Sequence, residues 1–238
     1  MGRKVWTEPC VLAPSLISCC DPCNLEASVR ELERAGVDVL HVDIIDGYFS
    51  PDMPLGLNTV KRLRQLTDMV LDVHLMAKNN EFFVSELLSI GVDQLVFHIE
   101  SETHVDRRLK QIRAAGARAG VALKPATSLS CLDYVLDSCD AVLLMLINPG
   151  FAHLAGEAQV PYAARKIAQL HERIAKESPQ TRVILDGRVS EAEIETYGTS
   201  GMADIFVAGS TCLDKTNLEE SARALCAYRR RLLQEKKL

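Results

Sequence analysis

The stretch LHVDIIDG, Leu40 to Gly47, sets a histidine and two aspartates at the end of an apolar run. Burying an imidazole and carboxylates beside Val and Ile is costly unless a cation, a ligand or solvent compensates them. His41 and Asp43 stand two apart, so in an extended segment they share one side. LDVHLM repeats the pattern with Asp72 and His74, and VILD ends on Asp186. Brought together, His41, Asp43, His74 and Asp186 would make a site for one divalent ion, with Zn²⁺, Fe²⁺, Mn²⁺ and Co²⁺ all suited to two imidazoles and two carboxylates.

Convergence requires a scaffold that aligns the ends of several strands. Eight apolar runs recur along the chain: CVLAPSLI, VDVLHVDI, MVLDVHLM, VDQLVFHI, RAGVALKP, DAVLLMLI, TRVILDG and ADIFVAG. Short runs of Val, Ile, Leu and Ala without polar alternation suit strands buried on both faces of a parallel sheet. Between them, LEASVRELERAG, GLNTVKRLRQLT, EFFVSELLSIG, HVDRRLKQIRAAG and AARKIAQLHERIAKE carry apolar residues three and four apart, which is helical spacing. Gly36, Gly91 and Gly116 stand where helices stop. Eight strand–helix units of about 30 residues use up the chain, and no linker divides it. The expected fold is α/β, a single (β/α)₈ TIM barrel with residues 1–238 as one domain. An open doubly wound sheet fits less well, because SCCDPCN follows the first strand where a glycine-rich dinucleotide loop would stand.

A barrel houses its chemistry at the C-terminal strand ends. Those ends offer Ser15, then His41, Asp43 and Asp46, Asp72 and His74, His98, Lys124, Asn148, Asp186, and finally Gly209 and Ser210. For several of these a plain structural role competes. His98, alone on an apolar strand, is expected to be a satisfied core histidine. Asp46 is expected to cap or orient its loop. Asp72 stands either behind a metal ligand or against the helix layer. Lys124 reads equally as a Schiff-base lysine or a phosphate contact.

Bulk properties narrow the class. The 238 residues are 47% hydrophobic and 25% charged with net charge −5, an ordinary globular balance. No broad basic surface favours nucleic acid or anionic membrane. No apolar stretch reaches the ~18 residues of a membrane span, and MGRKVWTEPC lacks a signal-peptide pattern. The YRRRLLQEKKL end is expected to be the solvated face of a last helix. The eight cysteines are scattered. CCDPC, with Cys19, Cys20 and Cys23, holds one CxxC without a second pair, so free thiols in the cytoplasm are expected.

LAPSLIS, HVDIIDGYFSP, LDVHLM, KPATSL, LMLINPGF, ILDGRV and DIFVAGS follow in that order. Together they resemble the ribulose-phosphate 3-epimerase family over about residues 10 to 213. The resemblance implies a divalent metal on His41, Asp43, His74 and Asp186, with Asp43 and Asp186 as the acid–base pair. It implies substrate contacts from Ser15, His74, Met76 and Met145, and a phosphate grip from Gly150, Gly187, Gly209 and Ser210. It also suggests a homo-oligomer. Epimerising C3 of a 2-ketose removes a proton beside a carbonyl and returns one to the opposite face. Carboxylates on strands two and seven suit that, and the enediolate's charge calls for a Lewis acid.

The sequence departs from the family pattern at one end of the site. PGFGGQ becomes PGFAHLAG, with Ala152 and His153 in place of glycines, and DGG becomes DGR at Arg188. A family Met becomes Ile45, and NPAT becomes KPAT at Lys124. Losing glycine removes close backbone approach to a phosphate, while Arg188 and His153 offer side-chain donors instead, unless Arg188 points to solvent or a neighbouring acid. The expected activity is 3-epimerisation of a ketose phosphate, by default D-ribulose 5-phosphate to D-xylulose 5-phosphate. The alternatives are another ketose phosphate (a hexulose 6-phosphate such as allulose 6-phosphate, or a rare pentulose phosphate), a non-catalytic sugar-phosphate-binding barrel, and a metal-free decarboxylase or aldolase for which Lys124 alone speaks.

Overall fold

A computed structural model describes residues 4–152, 154 and 156–236. Eight parallel strands form its centre: β1 Val11–Pro14, β2 Val39–Ile45, β3 Val70–Met76, β4 Gln94–His98, β5 Arg118–Leu123, β6 Ala141–Met145, β7 Arg182–Asp186 and β8 Ile205–Ala208. Neighbours pair in the order β1-β8-β7-β6-β5-β4-β3-β2. The ring closes at the β1–β2 seam through a single bridge, Ser15 to His41. This is the expected (β/α)₈ barrel.

Helices α1 Leu16–Cys19, α2 Leu25–Ala35, α3 Leu57–Leu66, α4 Asn80–Ile90, α5 Val105–Ala114, α6 Ala163–Glu177, α7 Glu191–Glu193 and α8 Leu218–Lys236 complete the molecule. The three glycine stops fall where expected, with φ of 87°, 88° and 87° at Gly36, Gly91 and Gly116. The strict eightfold alternation is broken after β5, where two 3₁₀ turns, Leu129–Leu132 and Leu136–Ser138, replace a helix. Ser128, Ser130, Asp133 and Asp137 crowd that segment, and such side chains offer backbone groups local partners in place of helical ones. Ser128 does so by accepting the Ser130 N–H.

Two apolar layers follow from the period of two along each strand. On β2, Leu40, Val42 and Ile44 face the helices, while Val39, His41, Asp43 and Ile45 take the other side. The barrel's interior layer is Val11, Ala13, Val70, Val96, Ala122, Leu143, Ile184, Ile205 and Val207, with Trp6 packed against it. The same alternation that builds this interior also carries His41, Asp43, His74 and Asp186 inward at the strand ends. Among the described residues no helix is long and apolar enough to cross a membrane.

Candidate active site

At the C-terminal strand ends lies a cavity of about 290 Å³. Ser15, Asp43, Met76, Met145 and Asp186, from the strand ends, line it. So do Gly150, Gly187, Arg188, Gly209 and Ser210, from the loops after β6, β7 and β8. Ile45 and Ile147 add apolar wall, and Asp52 and Pro54 come from the loop after β2. His41 and His74 are fully covered and are not part of the lining, so His74 stands among the ligand candidates without surface for substrate.

The register explains why four polar residues meet. β2 and β3 pair with His41 opposite Asp72 and Asp43 opposite His74. His41 Nε2 lies 3.4 Å from Asp43 Oδ1 and 3.8 Å from Asp186 Oδ2. His74 Nδ1 lies 3.4 Å from each of those oxygens. In a tetrahedron with bonds of about 2.1 Å, ligand atoms are about 3.4 Å apart. Neither His41 Nε2 nor His74 Nδ1 has a hydrogen-bond partner, although both are buried. Two orphaned imidazole nitrogens facing two carboxylate oxygens therefore fit a divalent ion. Among the described residues this is the one group of three or more such side chains that could hold a metal.

Each imidazole is held from behind. His41 Nδ1 contacts Asp72 Oδ2 at 2.9 Å, Gln94 donates to the other Asp72 oxygen, and Arg118 donates to Gln94. Asp72 thus stands behind a ligand candidate and not against the helix layer. His74 Nε2 meets His98 Nε2 at 3.0 Å, and His98 Nδ1 meets Glu100 Oε2 at 3.0 Å. His98 is satisfied, as expected, but by a side chain of the candidate site. Glu100 escaped the reading of strand ends because it lies two residues past β4, inside the 3₁₀ turn Ile99–Ser101, where strand alternation no longer applies.

The electrostatics favour a cation. Burial alone would raise the Asp43 carboxyl, yet His41 and His74 outweigh it and hold it well below the usual range. Burial would likewise lower both imidazoles, and the facing carboxylates raise them instead. Burial dominates at His98, bringing it down to about 4, so that ring is neutral near pH 7. Ser15 donates to Asp43 Oδ2 at 3.0 Å, leaving Oδ1 toward the histidines.

Asp46, Asn148, Lys124 and the cysteines of CCDPC fall outside the cavity lining. Asp46 accepts the N–H groups of Tyr48, Phe49 and Lys78 and so organises its loop. Asn148 bonds Glu157. The Lys124 ammonium sits 4.1 Å from the centre of the Phe49 ring, which in turn packs on His98 at 4.6 Å. Cys19 and Cys20 are buried with sulfurs 3.8 Å apart, Cys23 is exposed, and all eight cysteines are free. His153 lies outside the described residues. Arg188 adopts φ 54°, unusual for a side-chain-bearing residue, and donates to Ala152 O at 3.0 Å.

A model of the ribulose-phosphate 3-epimerase family matches residues 11–213. The chain belongs to this family. It is 36% identical over 211 residues to ribulose-phosphate 3-epimerase of Escherichia coli, covering 88% of this chain and 92% of that one. The chloroplastic ribulose-5-phosphate-3-epimerase of Arabidopsis thaliana is 35% identical, covering 92% and 77%. The Methanocaldococcus jannaschii ribulose-phosphate 3-epimerase is 33% identical, covering 85% and 84%. Among solved structures, KGPDC from Streptococcus mutans superposes with TM-score 0.64 at 14% identity, covering 93% and 97%. The 3-keto-L-gulonate-6-phosphate decarboxylase of Vibrio cholerae gives 0.63 at 11%, covering 94% and 99%. These two likenesses are of fold alone.

Proposed function

We propose that the chain is a metal-dependent ribulose-phosphate 3-epimerase, interconverting D-ribulose 5-phosphate and D-xylulose 5-phosphate. The observation that carries this is the pair of orphaned nitrogens on His41 and His74, facing Asp43 and Asp186 beside a sugar-sized cavity, in a chain of the epimerase family. Asp43 on β2 and Asp186 on β7 reach the cavity from different strands of the barrel. One takes the C3 proton as carboxylate, and the other returns a proton to the opposite face as acid, so the pair runs the reaction both ways. A divalent ion (Zn, Fe, Mn or Co) on His41, Asp43, His74 and Asp186 would supply positive charge against the enediolate. Ser15 orients Asp43, while Met76, Met145, Ile45 and Ile147 exclude water from the reacting carbons.

At the other end, Gly150, Gly187, Gly209 and Ser210 offer backbone and hydroxyl donors to the phosphate, and Arg188 adds a planar guanidinium. Arg188 is also the observation behind a second reading, 3-epimerisation of a different ketose phosphate. A glycine position has been filled by a cation held at φ 54° against the β6 loop, which alters the phosphate end and leaves the proton-transfer end unchanged. An aldolase or decarboxylase that uses Lys124 is disfavoured, since Phe49 covers that ammonium. A cytoplasmic homo-oligomer is the matching cellular reading, supported by eight free cysteines and the family resemblance.

Solvent deuterium exchange at C3, measured with metal-loaded protein across ketose phosphates, tests these readings together. Exchange with D-ribulose 5-phosphate at the highest kcat/KM supports the default. A higher value with a hexulose 6-phosphate or another pentulose phosphate selects the second reading. Binding without exchange would identify a non-catalytic sugar-phosphate receptor and refute both.

A further inference from the structure

His41 and His74 present different nitrogens to the centre, Nε2 from one ring and Nδ1 from the other. A neutral imidazole has one N–H and one lone pair, and what binds the far nitrogen decides which is which. Behind His41 this is simple, since Asp72 accepts and the N–H must sit on Nδ1. Behind His74 the far nitrogen meets another imidazole, which can donate or accept. The ambiguity is resolved one step further back. Glu100 Oε2 accepts from His98 Nδ1, so the His98 proton sits there and His98 Nε2 offers its lone pair. His74 must then carry its proton on Nε2, which frees Nδ1 for the ion. The other Glu100 oxygen, Oε1, accepts the Lys124 backbone N–H at 2.7 Å and the Thr127 hydroxyl.

From this arrangement we infer that Glu100 and His98 are positioning residues that select the metal-binding form of His74 through a directional relay. The inference rests on the proposed metal site. The β5 end takes part, because the Lys124 N–H fixes an acceptor on one side of the Glu100 carboxyl. A glutamine at this position must keep its oxygen toward Lys124 and Thr127. Its NH₂ would then face His98 Nδ1 and force the His98 proton onto Nε2. Two N–H groups would meet between His98 and His74, and His74 would be driven to the form whose Nδ1 carries a proton toward the ion. The same shape with reversed polarity is therefore worse than no side chain, because Glu100→Ala leaves His98 free to choose.

The test is Zn²⁺ affinity of the full chain, by competition with a chromophoric chelator, for wild type, Glu100→Gln and Glu100→Ala. Partners behind a ligand typically change metal affinity by about 10–100-fold. Glu100→Gln is expected to lose that much and Glu100→Ala less. A packing role alone predicts the opposite order, and Glu100→Gln binding as tightly as Glu100→Ala or wild type overturns the relay. Long-range ¹H–¹⁵N spectra of zinc-loaded wild-type protein give a second readout. A His98 proton on Nδ1 with Nε2 unprotonated is expected, and a proton on His98 Nε2 refutes the inference. Wild-type protein that takes up no zinc refutes the metal site and the relay together, an outcome distinct from equal binding by wild type and Glu100→Gln.

Discussion

Gly150→Ala is the perturbation whose cost the structure defines most fully. Gly150 sits in the loop after β6 at φ 82°, a left-handed conformation that costs an alanine about 1–2 kcal/mol. A methyl group there would lie 2.8 Å from Ser50 Oγ and closer still to Ser50 Cβ. Ser50 belongs to the loop after β2, is buried, and donates to Pro149 O at 2.6 Å. Forcing atoms into such a contact costs a further ~1–3 kcal/mol, and losing the hydrogen bond about 1 kcal/mol. Gly150→Ala should therefore destabilise by about 3–6 kcal/mol in urea unfolding. Ser50→Gly alone should cost about 1–2 kcal/mol, through the lost bond and added backbone freedom. The double variant removes the clash and counts the hydrogen bond once, so it should fall short of the summed singles by about 2–4 kcal/mol. Both loops also line the cavity, through Asp52 and Pro54 on one and Ala152 on the other. Gly150→Ala should accordingly lower kcat/KM, and Ser50→Gly should restore part of it. A Gly150→Ala protein within about 0.5 kcal/mol of wild type, or strict additivity of the pair, would refute the argument that these loops are locked by this contact.

Asp43→Asn and Asp186→Asn should each slow C3 exchange by about 10²-fold or more in protein whose metal content has been measured, since each removes a proposed proton carrier. Arg188→Gly should stabilise the protein by about 1 kcal/mol by relieving φ 54°; if the guanidinium grips phosphate, KM should rise about tenfold or more while kcat changes less. Burial would raise the Glu100 carboxyl, but the bonds from His98 and Thr127 prevail and bring it to about 2. Its unfolded value is higher, so its contribution is complete above about pH 4.5 and is lost as pH falls toward 2. At most about 3 kcal/mol is involved, and Glu100→Gln should flatten that limb of an acid-unfolding curve. Burial pushes the thiols of Cys139 and Cys212 up to about 12 and 11. A thiol reagent at pH 8 should therefore label exposed Cys23 in seconds and leave Cys139 untouched until the protein unfolds.

The barrel was legible because parallel strands buried on both faces read as apolar runs, and a polar residue inside such a run is conspicuous. His41, Asp43, His74 and Asp186 stood out for that reason, and the β2–β3 register brings them together. The segment after β5 was less legible because its apolar residues keep helical spacing while its Ser and Asp side chains divert the backbone. Glu100 was missed because it follows its strand, and its part depends on Lys124 and Thr127, 24 and 27 residues away. In sequence, Gly150 reads as a place for phosphate to approach. The structure adds a packing reason for its bare Cα, the side chain of Ser50, which no pattern around residue 150 contains.

The seam between β1 and β2 carries a consequence for how the protein is made. β1 leaves the ribosome first, yet its lengthwise partner is β8, paired from Val11–Ile205 to Pro14–Ala208, which leaves among the last. Toward β2 it has the single Ser15–His41 bridge. The hydrogen bond from Ser15 to Asp43 spans that same joint. A growing chain thus holds Ser15, His41, Asp43 and His74 long before Asp186 and β8 exist. An unfinished product would have the β1 edge open where β8 belongs and would lack Asp186, so closure of the ring and completion of the four-residue cluster both wait for the last quarter of the chain.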